Sequence, residues 1–164
     1  MITKNMETAI NEQINKEFSS SYLYLSMAAW FDGTGLKGAA SWLHAQAEEE
    51  REHAMKLVEH LADRGGTLEL KSIPQPKATW EGPMEAFKEV LSHEQFITKS
   101  IHDLYNTAVK EADLPAQIML QWFIAEQVEE EKNAADIISS MTRIQNHETA
   151  VLQLDHQLGK RGRS

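Results

Sequence analysis

The sequence predicts an all-α chain: a four-helix bundle with a long crossover between the second and third helices and a short fifth helix at the C-terminal end. Three observations carry that prediction. Apolar residues recur at helical spacing over four long segments. Glycine and proline are scarce, 8 and 4 in 164 residues, so the chain has few places to turn. The breaks are unequal: two are short and the middle one is long.

The first helix is expected from about Asn5 to Phe31, with Met6, Ile10, Ile14, Phe18, Tyr22, Leu25 and Ala29 as its apolar face and Gln13 beside it. "DGTG", Asp32 to Gly35, breaks it. The second runs from about Leu36 to Arg64 and stops at Gly65-Gly66, residues suited to a left-handed helix end. "GGTLELKSIPQPKATWEG" follows, with Pro74 and Pro76 and no helical period. Pro83 suits the first turn of the third helix, which reaches about Glu111. "ADLP" punctuates, and the fourth helix continues to about Arg143. An amphipathic stretch at 148–158 is the fifth, with Asn146 available as a cap. The basic tail 159–164 reads as disordered. The whole of 1–164 is one domain, its bundle covering about 5–143.

A helix of about 29 residues is roughly 43 Å long. Short breaks force antiparallel hairpins, first with second and third with fourth. The 18 residues of the middle break, at about 3.3 Å each, reach roughly 59 Å, enough to travel the bundle's length. The second and third helices are therefore expected to run parallel.

The formal charge of −9, with no basic patch in the body of the chain, argues against nucleic acid and favours metal cations as partners. No cysteine is present, so there is no thiolate metal site and no disulfide scaffold; a reducing cytoplasm is the expected location. The opening "MITKNMETAINEQINKEF" lacks the apolar core of a signal peptide, and no apolar run is long enough for a membrane span.

The chemistry concentrates in "AEEEREHA", Ala47 to Ala54. A shift of 77 positions carries Glu49 onto Glu126, Glu50 onto Gln127, Glu52 onto Glu129 and His53 onto Glu130, and it also carries Glu17 onto Glu94. The chain thus reads as two related hairpins. The midpoint between Glu17 and Glu50 falls inside the first break, and that between Glu94 and Gln127 falls just before the second. Each hairpin therefore presents a Glu level with an i, i+3 pair: Glu50 with His53, and Gln127 with Glu130. Any one of these residues alone reads as an edge glutamate with its head in water. Together, inward-facing, the carboxylates of Glu17, Glu50, Glu94 and Glu130 would repel and lose hydration. A metal centre resolves that conflict. Oxygen-rich ligands with one imidazole suit iron or manganese, and four carboxylates balance two divalent ions.

The motifs "NKEFSSSYLY", "AEEEREHA", "SHEQ" and "AEQVEEEKNA" together resemble the bacterial and archaeal non-haem ferritins, over essentially the whole chain. Gln127 and Glu130 stand where bacterioferritins and rubrerythrins repeat Glu-x-x-His, so the resemblance leans to ferritin proper. Arg51 follows Glu50 where haem-binding bacterioferritins carry methionine, so no haem is expected.

The resemblance implies a ferritin-like fold and a ferroxidase centre. One iron would be held by Glu17, Glu50 and His53, the second by Glu94 and Glu130, with Glu50 bridging and Gln127 assisting. O2 or H2O2 would oxidise Fe(II). Glu49, Glu126 and Glu129 would form a third iron site on the exit path, or else a solvated acidic face. Tyr24 shares the face of Glu17 and would serve as electron donor or as a buried structural tyrosine. Trp122 is read as packing or as a second redox residue; His44, His60, His93, His102, His147 and His156 as surface or packing. The resemblance further implies about twenty-four subunits in a homo-oligomeric shell around a ferric mineral. Animal ferritins line three-fold pores with acidic residues, where this chain has Gln117 and Leu120. Val151, Leu154 and Leu158 form a stripe needing a partner, and Leu68, Leu70, Ile73 and Trp80 make the crossover unusually apolar. The alternatives are a rubrerythrin-like oxidase or peroxidase without storage, and a metal-free helical interaction module.

Overall fold

The computed structural model describes residues 1–145 and 147–161. Its helices are α1 (Lys4–Thr34), α2 (Lys37–Asp63), α3 (Pro83–Lys110), α4 (Leu114–Ile144) and α5 (Glu148–Leu158), in the order and close to the bounds that the sequence predicts. Thr3 caps α1 by accepting from the Met6 amide, and Gly35 ends it at φ 87°, a left-handed conformation that glycine adopts without steric cost. Gly65 does the same after α2 at φ 71°. Pro83 opens α3, and Asp113 caps α4 by accepting from Ala116. Among the described residues no helix is long and apolar enough to cross a membrane.

Cross-bundle hydrogen bonds fix the directions. Ile2 donates to the Arg64 carbonyl and Ser21 to the Ala47 carbonyl, so α1 and α2 are antiparallel. Lys16 meets Ser100 while Ser20 meets His93, so α1 and α3 are antiparallel too. Hence α2 and α3 run parallel, as the long crossover requires. That crossover is stitched to α1 rather than free. Asn11 donates to the Thr67 carbonyl and accepts from the Glu69 amide, and Ser26 donates to the Lys77 carbonyl. Trp80 is buried against Trp30 and donates to Glu89, but Leu70 stays 70% exposed, and Leu68 and Ile73 are also on the surface. Only part of the crossover's apolar content covers its own bundle.

The expected apolar face of α1 holds as far as Ile14 and then departs from the sequence reading. Tyr22 and Leu25 are 49% and 47% exposed, and Ala29 is also exposed; Tyr24, Met27, Ala28 and Phe31 are buried instead. Two apolar rows about two residues apart, on nearly opposite sides of the helix, both satisfy the helical period, and the bundle selects the row continuous with Glu17. Asn146, the expected cap of α5, lies outside the described residues. The tail departs from the expectation of disorder in part: 159–161 form turns against the bundle, and 162–164 lie outside the described residues.

Two apolar blocks result. One holds Met6, Ile10, Ile14, Leu57, Ile101, Leu120 and Phe123. The other holds Tyr24, Phe31, Trp42, Leu43, Phe87 and Ile137. A buried polar layer of Gln13, Glu17, Gln46, Glu50, His53, Glu94, Gln127 and Glu130 separates them.

Candidate metal centre

Each bundle helix brings its part of the polar layer from a different side. Glu17 comes from α1, Glu50 and His53 from α2, Glu94 from α3, and Gln127 and Glu130 from α4; all six are buried. Glu17, Glu50 and His53 place ligand atoms within 4.8 Å of one another. Among the described residues their inner atoms have no hydrogen-bond partner: Glu17 Oε2, Glu50 Oε2 and His53 Nδ1. A buried polar atom without a partner is costly, and three such atoms converge here. This donor set, hard oxygens with one imidazole nitrogen, fits iron.

The other oxygens are held in place. Gln13 donates to Glu17 at 2.7 Å. Gln46 donates to Glu50 at 3.2 Å and to Glu130 at 2.7 Å, joining candidate ligands of α2 and α4. Gln127 donates to Glu94 Oε2 at 3.1 Å. The Tyr24 hydroxyl donates to the other Glu94 oxygen. Glu94 is thus tied to Tyr24 and Gln127, one step aside from the Glu17–Glu50–His53 group.

Burial pushes Glu17 and Glu50 well above the ordinary carboxylate range, and the neighbouring carboxylates add to it. Burial also raises Glu94, and it brings Glu130 up to about 7. The Tyr24 phenol is raised by burial and by Glu94, which keeps it protonated as a donor. A divalent ion would reverse this preference for the neutral acids.

A second grouping lies outward. His53, Glu126 and Glu130 also bring ligand atoms within 4.8 Å. Glu126 thus lies beside the buried His53 and Glu130. Glu49, Glu126 and Glu129 line one pocket of about 410 Å³, beside His53, Trp122 and Arg161. Trp122 stands edge-on to His53 at 5.4 Å, with the Lys56 ammonium over its ring at 4.2 Å. Of the remaining histidines, His93 is half-buried, bonded to Ser20, edge-on to Tyr24 and held down to about 4 by burial, so it stays neutral. Leu120, matched by resemblance to a pore position, is fully buried in the core and lines no surface of this chain; Gln117 bonds the Ala108 carbonyl.

Sequence reasoning assigned no role to Gln13, Gln46 or Arg161. A signal existed for the two glutamines. Each stands four residues before a candidate ligand glutamate, one helical turn away, on α1 and on α2 alike. Nothing in the tail announced Arg161.

The ferritin-like domain family matches residues 7–144. A bacterial non-heme ferritin from Bacteroides fragilis (strain 638R) is 37% identical over 98% of this chain and 100% of its own length. One from Staphylococcus aureus (strain USA300) is 35% identical over 98% of this chain and 97% of its own. An open-pore ferritin from the hyperthermophilic archaeon Archaeoglobus fulgidus superposes with a TM-score of 0.97 at 43% identity, covering 98% of this chain and 99% of that one. A closed form engineered from the Archaeoglobus fulgidus ferritin gives the same TM-score and identity over 98% of both chains. Fold, polar layer and full-length similarity agree: this chain belongs to the ferritin family, on the non-haem bacterial and archaeal side of it.

Proposed function

We propose that this chain stores iron, and that it oxidises Fe(II) before storing it, at a dinuclear centre inside each bundle. Family membership supports iron storage in general. The finer reading is carried by one observation: three buried polar atoms, on Glu17, Glu50 and His53, converge with no hydrogen-bond partner among the described residues.

Iron is the substrate. Glu17, Glu50 and His53 hold one Fe(II); Glu94 and Glu130 hold the second, with Glu50 between them. Four carboxylates set against two divalent ions leave the site near neutral, so binding relieves the burial cost of the acids. Two Fe(II) then give two electrons to O2, which takes up two protons and leaves as H2O2; with H2O2 as oxidant the products are water. The ferric pair carries two excess positive charges. Glu49, Glu126 and Glu129 in the adjoining pocket offset that excess and receive the leaving ion. Tyr24, bonded to Glu94, fixes that carboxylate. Gln13, Gln46 and Gln127 hold their acceptor oxygens in register.

Storage needs an enclosing shell of copies, about twenty-four by family resemblance. Exposed Tyr22, Leu25, Phe96, Leu114, Ile118 and Val128 on the bundle's outer faces support burial between subunits. Size-exclusion chromatography before and after aerobic iron addition tests the whole reading. The expected result is a large homo-oligomer that retains iron and turns amber. A monomer or dimer that oxidises iron but releases it all supports the non-storage oxidase reading instead.

A further inference from the structure

Arg161 takes no part in the chemistry above, yet it enters the acidic pocket. It lies in the turn after α5 and folds back over α2. Its guanidinium stands 4.3 Å over the Trp42 ring, donates to Gln46 Oε1 at 2.6 Å and pairs with Glu49.

The seat that brings it there is tightly made. The Asp155 carboxylate of α5 accepts from the Gly38 and Ala39 amides at 3.0 and 2.8 Å, capping an α2 whose own Leu36 cannot. A Cβ at Gly38 would lie 1.6 Å from the Asp155 carbonyl oxygen, and one at Gly159 would lie 3.2 Å from the Gly38 Cα. Glycine at Gly38 lets α5 press onto α2, and Arg161 follows two residues after Gly159.

Gln46 carries the contact inward. Its carbonyl oxygen is taken by Arg161, which turns its amide nitrogen toward Glu50 and Glu130. Gln46 is fully buried, so loss of the Arg161 donor leaves that oxygen unpaired unless the amide turns. A metal cation entering the pocket competes for the Glu49 carboxylate, one oxygen of which the guanidinium holds.

We propose that Arg161 is a tethered counter-cation of the outer acidic pocket, displaced from Glu49 when a metal cation enters, and that it positions Gln46 against the buried ligands. This rests on the iron-handling reading of the pocket. Arg161 competes with the incoming ion, so it raises the metal concentration at which the pocket fills. Through Gln46 it also makes that filling felt at Glu50 and Glu130.

Tb(III) tests the competition in the full-length protein. It is an oxygen-seeking trivalent ion whose emission is excited through nearby tryptophan, and Trp122 lines this pocket. Arg161→Gln keeps an amide and removes the charge. At low salt Tb(III) is expected to bind the variant about tenfold more tightly than the parent, the size of one charge-assisted pair. A gain of about threefold or more supports the proposal; a smaller gain, or weaker binding, overturns it. In a Glu49→Gln background the Arg161→Gln change is expected to fall below about threefold, and an undiminished effect there overturns the proposal. Arg161→Lys retains the charge and is expected to bind near the parent value; binding as tight as Arg161→Gln overturns charge competition. Helical circular dichroism and elution volume verify that each variant is folded. Aerobic Fe(II) oxidation by the parent is read in parallel. If the parent fails to oxidise Fe(II), the ferroxidase reading falls, while the Tb(III) comparison still decides the role of Arg161.

Discussion

Glu50 is the residue on which the proposed centre depends. It is fully buried, 3.5 Å from His53 Nδ1, and shares Gln46 with Glu130. Glu50→Ala is expected to abolish binding at both iron positions, whereas Glu94→Ala weakens mainly one. Anaerobic Fe(II) titration separates them; intact two-ion binding in Glu50→Ala contradicts the bridge. Burial also makes the metal-free fold sensitive to pH. Glu130 is raised to about 7, so the unfolded chain ionises this group first as pH rises. Its stabilising contribution is complete below the ordinary carboxylate value and is lost as pH rises through about 7. The melting temperature of the metal-free parent is therefore expected to fall more steeply than that of Glu130→Gln between about pH 5 and about pH 8. Parallel melting curves, with equal slopes for the two proteins, would contradict it. The buried acidic layer was legible in the sequence because acidic residues at a shared offset are unusual on inward faces. The glutamines supporting them were not, since an uncharged residue on a mostly apolar face carries no electrostatic conflict to explain.

At the scale of elements, helix number, order and direction could be read from periodicity and break lengths. The face of α1 beyond Ile14 could not, because two apolar rows fit one period and only packing chooses between them. The seat of α5 was equally hidden: it depends on Asp155 meeting the amide end of a helix far away in sequence. Asp155→Ala is expected to cost about 1 kcal/mol, as loss of an N-cap does, and to loosen α5 before the bundle. Gly38→Ala should act more strongly, since its Cβ has no room beside the Asp155 carbonyl. Hydrogen exchange resolved by peptide checks both; α5 protection unchanged in Gly38→Ala would refute the tight seat.

At the scale of the whole molecule, assembly and mineral growth are the properties furthest from any one residue. Deleting 145–164 is expected to spare bundle helicity and weaken the shell, because α5 leaves Leu152 exposed and is too short to stand alone. Light scattering with circular dichroism reads the two effects separately, and a fully assembled, equally heat-resistant truncation would show that α5 is no subunit contact. The outer pocket belongs to this scale too. Replacing Glu49, Glu126 and Glu129 together with Gln should leave the first oxidation fast and alter the later ones, because neutral amides cannot offset ferric charge. Identical rates at every successive addition would make those glutamates a solvated face.

The most direct test of the central claim is stopped-flow oxidation with simultaneous oxygen measurement, on metal-free parent protein given about two Fe(II) per subunit. Paired oxidation at one buried centre predicts a single fast phase consuming one O2 for about two Fe(II), absent in Glu50→Ala. Slow oxidation at the rate of free iron, or a fast phase that survives in Glu50→Ala, would contradict it.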